Sequence, residues 1–142
     1  MRFLAFHVEK FRSEITEKGR ARFVEPPEPA VTEVSEALVI LVSVEKEDEA
    51  APEQVAEAAT SEIAGLAAQL GTTTVLLHPF AHLFAELAAP PVAVRVLDLT
   101  RDALVKRGLH AERTPFGWFN TLEIKAKGHP LSRVARRITP RT

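Results

Sequence analysis

The chain of 142 residues has no cysteine, which removes disulfide frameworks, thiolate metal sites and cysteine nucleophiles. Its 6 glycines are spread thinly, and none of them builds a phosphate-cradling loop or flanks a serine elbow. The paired-histidine helix motif of zinc enzymes is missing. No apolar run is long enough to span a bilayer. The start, Met1-Arg2-Phe3-Leu4-Ala5-Phe6-His7, enters an apolar stretch without a signal-peptide cleavage pattern, so a soluble cytoplasmic protein is expected. Charge of one sign is also missing: 18 Lys+Arg against 19 Asp+Glu give a net charge of -1. Proteins that coat long nucleic acids are usually basic, so that class is disfavoured, although contact with a small part of one stays open.

What is present is an ordinary globular balance, 46% hydrophobic and 26% charged, enough for one domain with its own core. Met1–Val8 reads as a first strand. Glu9–Glu36 is mixed and charged, with Pro26-Pro27-Glu28-Pro29 marking a connection and Arg20–Val24 a short edge strand. The run Ala37–Ser43 is dense in branched residues and reads as a strand covered on both faces. After an acidic loop at Glu45–Ala51, Pro52 opens a helix. Val55, Ala59, Ile63, Leu66 and Leu70 keep helical spacing, and Gly71 ends it. Thr72–His78 is a third strand, followed by a short helix from Ala81 that Pro90-Pro91 breaks. Val92–Arg107 is a second long helix closed by Gly108, and Leu109–Arg113 and Thr121–Lys127 are further strands. The class is α/β (α+β), sheet and helices in two layers, with residues 1–142 forming a single domain.

Two segments stand out. His78-Pro79-Phe80-Ala81-His82-Leu83 joins a buried strand to a helix start, where ligands meet backbone N–H groups. The plainer alternative is that His82 caps or packs the helix and His78 ends the strand. Thr114-Pro115-Phe116-Gly117-Trp118-Phe119-Asn120 gathers three aromatics around a Pro and a Gly. It suits base stacking and backbone approach by a ligand, or a hydrophobic plug or oligomer contact. The acidic run Glu45, Glu47, Asp48, Glu49 reads as a solvated loop. Lys125, Lys127, Arg133, Arg136, Arg137 and Arg141 make a locally basic end, a solvated face or a phosphate contact.

Taken in order, Ser43-Val44-Glu45-Lys46, Pro79-Phe80-Ala81-His82-Leu83 with Glu86-Leu87-Ala88, Pro115-Phe116-Gly117 and Lys127-Gly128-His129-Pro130-Leu131 resemble the N-terminal editing domain of archaeal threonyl-tRNA synthetases. The match runs over nearly the whole chain and is least clear from Glu9 to Glu36. It implies a fold shared with D-aminoacyl-tRNA deacylases, a homodimer, and hydrolysis of serine misattached to threonine tRNA, with no cofactor and no metal. The partners it implies are the 3′ end of the aminoacylated tRNA and a threonyl-tRNA synthetase catalytic core, in cis or in trans. Its pocket falls on Val44, Pro79, Phe80, Ala81, His82, Phe116, Gly117, Phe119, Asn120 and Arg133. Two departures are visible. Trp118-Phe119-Asn120 stands where euryarchaeal members carry Tyr-Tyr-Lys, and Arg133 where they carry a carboxylate.

With neither a Lys nor a Glu to act as acid and base, His82 and Asn120 are expected to shape the pocket. Backbone donors and the substrate's own 2′-hydroxyl then carry the chemistry. The need for such a site follows from size. Serine lacks one methyl of threonine, a difference worth only about 1–3 kcal/mol in a synthetic pocket, so a second site must remove the error. The competing readings are a D-aminoacyl-tRNA deacylase, whose Ser-Gln-Phe-Thr and Asn-x-Pro-x-Thr strings are missing here, and a non-catalytic module that binds the tRNA end or dimerises an enzyme.

Overall fold

The computed structural model describes residues 1–20, 23–81, 83 and 86–139. Its strands are β1 (Arg2–Lys18), β2 (Val31–Ser43), β3 (Thr74–Pro79), β4 (His110–Arg113), β5 (Trp118–Ala126) and β6 (Arg133–Arg137), with helices α1 (Pro52–Leu70) and α2 (Pro90–Lys106). The sheet order is β4-β3-β2-β1-β5, with β6 pairing the other end of β1. β2, β3 and β4 are parallel and linked through α1 and α2, whereas β1 runs antiparallel to β2, β5 and β6. Chain segment 114–117 joins β4 to β5, the two ends of the strand order, so the sheet curls.

The helices share one face. Leu38, Ile40 and Val42 of β2 pack with Val55, Ile63, Val96 and Leu104. Val39 and Leu41 point to the opposite side with Val8, Phe11 and Leu76. β2 is therefore buried on both faces, as its unbroken apolar run requires. Pairing of β1 with β2 skips Glu9 and Glu36, and Glu36 takes the left-handed region at φ 49°. Past that point the inward positions change parity, so that Val8 and Phe11 share one cluster.

The elements differ from the sequence reading where charge hides the pattern. β1 continues to Lys18, because Phe11 and Ser13 are buried between charged neighbours that face out. Pro90 and Pro91 start α2 rather than ending a preceding element, since proline's fixed φ and missing N–H suit the first helical turn. The described residues of Arg20–Val24 carry no strand, and those between Ala81 and Ala89 carry no helix; the rest of both segments lies outside the described residues. β5 begins three residues before Thr121, and the highly charged β6 was not read as a strand.

The acidic run is also not a solvated loop. It forms a 3-10 helix, Lys46–Ala50, with Asp48 fully buried and Glu45 2% exposed. Asp48 Oδ2 lies 2.6 Å from the Met1 ammonium and accepts the Glu45 N–H at 2.7 Å, while Arg2 Nε donates to Glu45 Oε2 at 2.9 Å. Buried carboxylates persist only when paired in this way, and these two fix the turn that follows β2.

Candidate functional site

At the ends of β2 and β3 lies a cavity of about 560 Å³. One wall is Val42, Ser43 and Val44 with the His78–Ala81 turn. The facing wall is Phe116–Asn120 with Leu122, Gly19 and Arg20, and Leu87, Ala88 and the start of α2 close it above. Of the residues suggested by the family resemblance, Val44, Pro79, Phe80, Ala81, Phe116, Gly117, Phe119 and Asn120 line this one space. Arg133 does not. It is exposed on β6, opposite Phe6 of β1. His82 lies outside the described residues.

Backbone hydrogen bonds hold the first wall. Phe80 N–H donates to Val42 O at 2.8 Å, and the Ser43 hydroxyl donates to Phe80 O. Ser43 Oγ is thereby committed to the backbone. Ala88 N–H donates to Val44 O at 3.0 Å and Lys46 N–H to Glu86 O at 2.8 Å, which ties the upper segment to the strand end.

The second wall hangs on a residue that sequence reasoning missed. Glu25 receives both terminal nitrogens of Arg113 at 2.5 Å and the Phe116 N–H at 2.8 Å. Its own N–H donates to Phe116 O at 3.0 Å, and its carbonyl accepts the Trp118 indole N–H at 2.8 Å. Arg113 is further held by Asp98 at 2.7 Å. Burial pushes the Glu25 carboxyl up, but hydrogen bonds from Arg113 and the Phe116 N–H outweigh it, and the net direction is down. For Arg113, burial lowers and the two carboxylates raise, and the net direction is up. Nothing in the local sequence pairs positions 25 and 113; only the fold does.

Gly117 departs from expectation in its reason. Its φ is 97°, and a Cβ there would sit 2.5 Å from Val24 Cγ1. Gly19 N–H donates to Gly117 O at 2.8 Å, and a Cβ on Gly19 would lie 2.7 Å from that oxygen. The close crossing of three chain segments therefore requires the glycine by itself. The Asn120 amide donates to Trp118 O at 3.0 Å, so it braces its own strand. Among the described residues, Ala81 and Gly117 N–H form no hydrogen bond, whereas those of Phe80 and Phe116 are occupied.

His78 is 3% exposed, and burial lowers its pKa to about 4. The Lys127–Leu131 string sits away from the cavity lining and locks the β5–β6 turn onto β1. His129 Nε2 meets His7 Nδ1 at 2.8 Å, and His7 N–H donates to Ser132 O at 2.9 Å. Burial, then Lys127 and His129, push the His7 pKa down, with Glu36 opposing. No three His, Asp or Glu side chains converge as a metal site among the described residues. Among the described residues, no helix is long and apolar enough to cross a membrane.

A family model described as the archaea-specific editing domain of threonyl-tRNA synthetase matches residues 1–138. The chain is 39% identical over 140 residues to a threonine–tRNA ligase of Methanopyrus kandleri, with 99% of this chain and 22% of that protein covered. It is 38% identical over 145 residues to that of Pyrococcus furiosus, covering 99% and 23%. It is 37% identical over 138 residues to that of Methanocaldococcus jannaschii, covering 97% and 22%. The chain thus spans a little over a fifth of the length of these relatives.

Proposed function

The chain belongs to the archaea-specific editing domain family of threonyl-tRNA synthetase, and on that premise we propose that it hydrolyses the ester of Ser-tRNA(Thr) while sparing Thr-tRNA(Thr). The observation that carries the reading is the cavity between the Pro79–Ala81 turn and the Phe116–Asn120 wall. Its aromatic and apolar lining suits an adenine and a small side chain, and a second site of this kind need only exclude the extra methyl of threonine.

The reaction is acyl transfer to water, which needs an oriented water and donors aimed at the oxyanion. Ser43 is not available as a nucleophile because its hydroxyl serves Phe80 O. In our reading the ribose 2′-hydroxyl orients the water, and the Ala81 and Gly117 N–H groups, which have no other partner among the described residues, stabilise the developing charge. His82 and Asn120 shape the pocket. The 142 residues act as one domain and as a homodimer, with the half-exposed Leu122 and Ile124 of β5 supplying apolar surface. The partners are the 3′ end of tRNA(Thr) and a threonyl-tRNA synthetase catalytic core, in cis or in trans.

Hydrolysis of seryl esters of tRNA(Thr), with and without the terminal 2′-hydroxyl, tests this reading. Loss of one well-placed catalytic contact costs on the order of 10²-fold, so the deoxy substrate is expected to react at least that much more slowly. Equal rates would contradict the proposed chemistry. Preference for a D-aminoacyl ester would favour a deacylase, and binding of seryl-adenosine analogues without turnover a non-catalytic module.

A further inference from the structure

We propose that His78 is a substrate-facing hydrogen-bond donor, its Nε2–H directed into the cavity to hold an uncharged oxygen at the aminoacyl end of the ligand. This rests on the editing reading of the same cavity and adds to it a residue outside the Pro79–Leu83 string.

Thr114 is 1% exposed, and its N–H donates to Leu77 O at 3.0 Å where β4 leaves β3. Its hydroxyl lies 2.7 Å from His78 Nδ1 and has no other partner among the described residues. If Nδ1 carried the proton, the Thr114 hydroxyl would accept it and leave its own hydrogen buried and unpaired, which is unfavourable. With the hydroxyl as donor, both groups are satisfied, and the ring proton is assigned to Nε2. Each neutral imidazole has one N–H, so fixing the acceptor at one nitrogen fixes the donor at the other.

Where Nε2 points follows from what surrounds the ring. His78 lines the cavity. Phe11 packs against the ring at a centroid distance of 5.7 Å and an interplanar angle of 65°, and offers no hydrogen-bond partner. Nε2 makes no hydrogen bond among the described residues. It is not among the fully buried, unpartnered side-chain polar atoms of the described residues, which are Glu45 Oε1 and Asp48 Oδ1, both away from the cavity, so it keeps contact with the open space. A buried donor is expected to find an acceptor, and the cavity is where one can arrive.

The chemistry of that acceptor is constrained as well. Among the described residues no carboxylate pairs with His78, and burial holds the ring neutral well below pH 7. An uncharged donor suits an ester carbonyl or a hydroxyl rather than a phosphate, which would call for a cation. Thr114 is then a positioning residue, because it sets the tautomer through the contact to Nδ1. It also lies immediately before the Pro115–Gly117 turn, so the same hydrogen bond couples the ring's orientation to the facing wall.

Nitrogen-15 NMR of the imidazoles, in the whole chain, tests this without a variant. The free protein is expected to show His78 in the Nε2-protonated form; the Nδ1-protonated form would overturn the assignment. The probes are the non-hydrolysable amide 3′-seryl-amino-3′-deoxyadenosine, its alanyl counterpart and adenosine. Nε2 is expected to shift on saturation with the seryl amide. The same shift with the alanyl amide assigns the carbonyl as acceptor, and its loss assigns the seryl hydroxyl. An equal shift with adenosine alone, or none while the Phe116 and Gly117 amides report binding, overturns the proposal and leaves the pocket reading standing. No binding reported by any resonance fails the pocket reading, and this inference with it. In kinetics, His78→Phe is expected to lower kcat/KM on Ser-tRNA(Thr) by about tenfold, the equivalent of one lost hydrogen bond, with partial recovery in His78→Gln. A folded His78→Phe with the wild-type rate would refute the role.

Discussion

Replacing Glu25 by Gln should damage both stability and the site, although residue 25 belongs to no strand or helix. The side chain keeps its shape and one acceptor oxygen but loses the charge that receives Arg113 twice at 2.5 Å and the Phe116 N–H at 2.8 Å. Breaking a buried pair by removing one partner costs roughly 3–5 kcal/mol. Two features place this case below that range. Arg113 keeps Asp98 at 2.7 Å, and the Glu25 side chain is 19% exposed. The expected loss is about 2 kcal/mol, typical of one charge-assisted hydrogen bond. For a domain of this size each kcal/mol moves Tm by roughly 3–4 °C, so the melting point should fall by about 6–8 °C.

The pH dependence of that deficit gives a second check. The folded Glu25 carboxyl titrates below its ordinary value of 4.5, so the stability it contributes is present above that pH and lost as pH falls through the folded value. The gap between wild type and Glu25→Gln should therefore close below pH 4.5. Because the same carboxylate tethers Phe116, affinity for a seryl-adenosine analogue should drop along with Tm at neutral pH. Thermal melts of the two proteins across pH 3–7, with analogue binding at pH 7, measure all three effects. An unchanged Tm at pH 7, or a gap that widens in acid, would refute the reasoning.

Other outcomes follow from the same geometry. His78 titrates at about 4 when folded and has an ordinary value of 6.5, so the unfolded chain binds the proton first and stability falls as pH drops from 6.5 to 4. The loss amounts to about 3 kcal/mol, and a His78→Phe variant should show a flatter slope in denaturant titrations. Gly117→Ala should cost more than about 1 kcal/mol, because its Cβ would press on Val24 at a φ of 97°; a wild-type melting point would contradict the close crossing. Asp48→Ala leaves the Met1 ammonium without its 2.6 Å partner and should destabilise by roughly 3 kcal/mol, read by urea unfolding.

What the sequence made legible is what one-dimensional patterns encode. The Ala37–Ser43 run and the helix from Pro52 to Gly71 appear where they were expected, because continuous burial and 3.6-residue spacing are local signals. The later half of β1 and all of β6 were not read, since Glu9–Lys18 and Arg133–Arg137 are strands whose charged residues mask the alternation. The site was half legible. The 79–81 and 116–120 segments do face one another across a cavity, the arrangement that the family resemblance implied. What orients them was hidden: Glu25 reaches Arg113 and Phe116 across most of the chain, and Thr114 reaches His78. Such pairs carry no spacing rule. The acidic run misled for the same reason. Nothing near Glu45 and Asp48 in sequence announces that Met1 and Arg2 neutralise them.

The central claim is most directly tested by measuring hydrolysis of Ser-tRNA(Thr) and Thr-tRNA(Thr) side by side with this chain. The editing reading expects release of serine well above the uncatalysed rate and threonine left attached, a ratio of about 10²-fold or more if the extra methyl is excluded sterically. Equal rates on the two esters would contradict it.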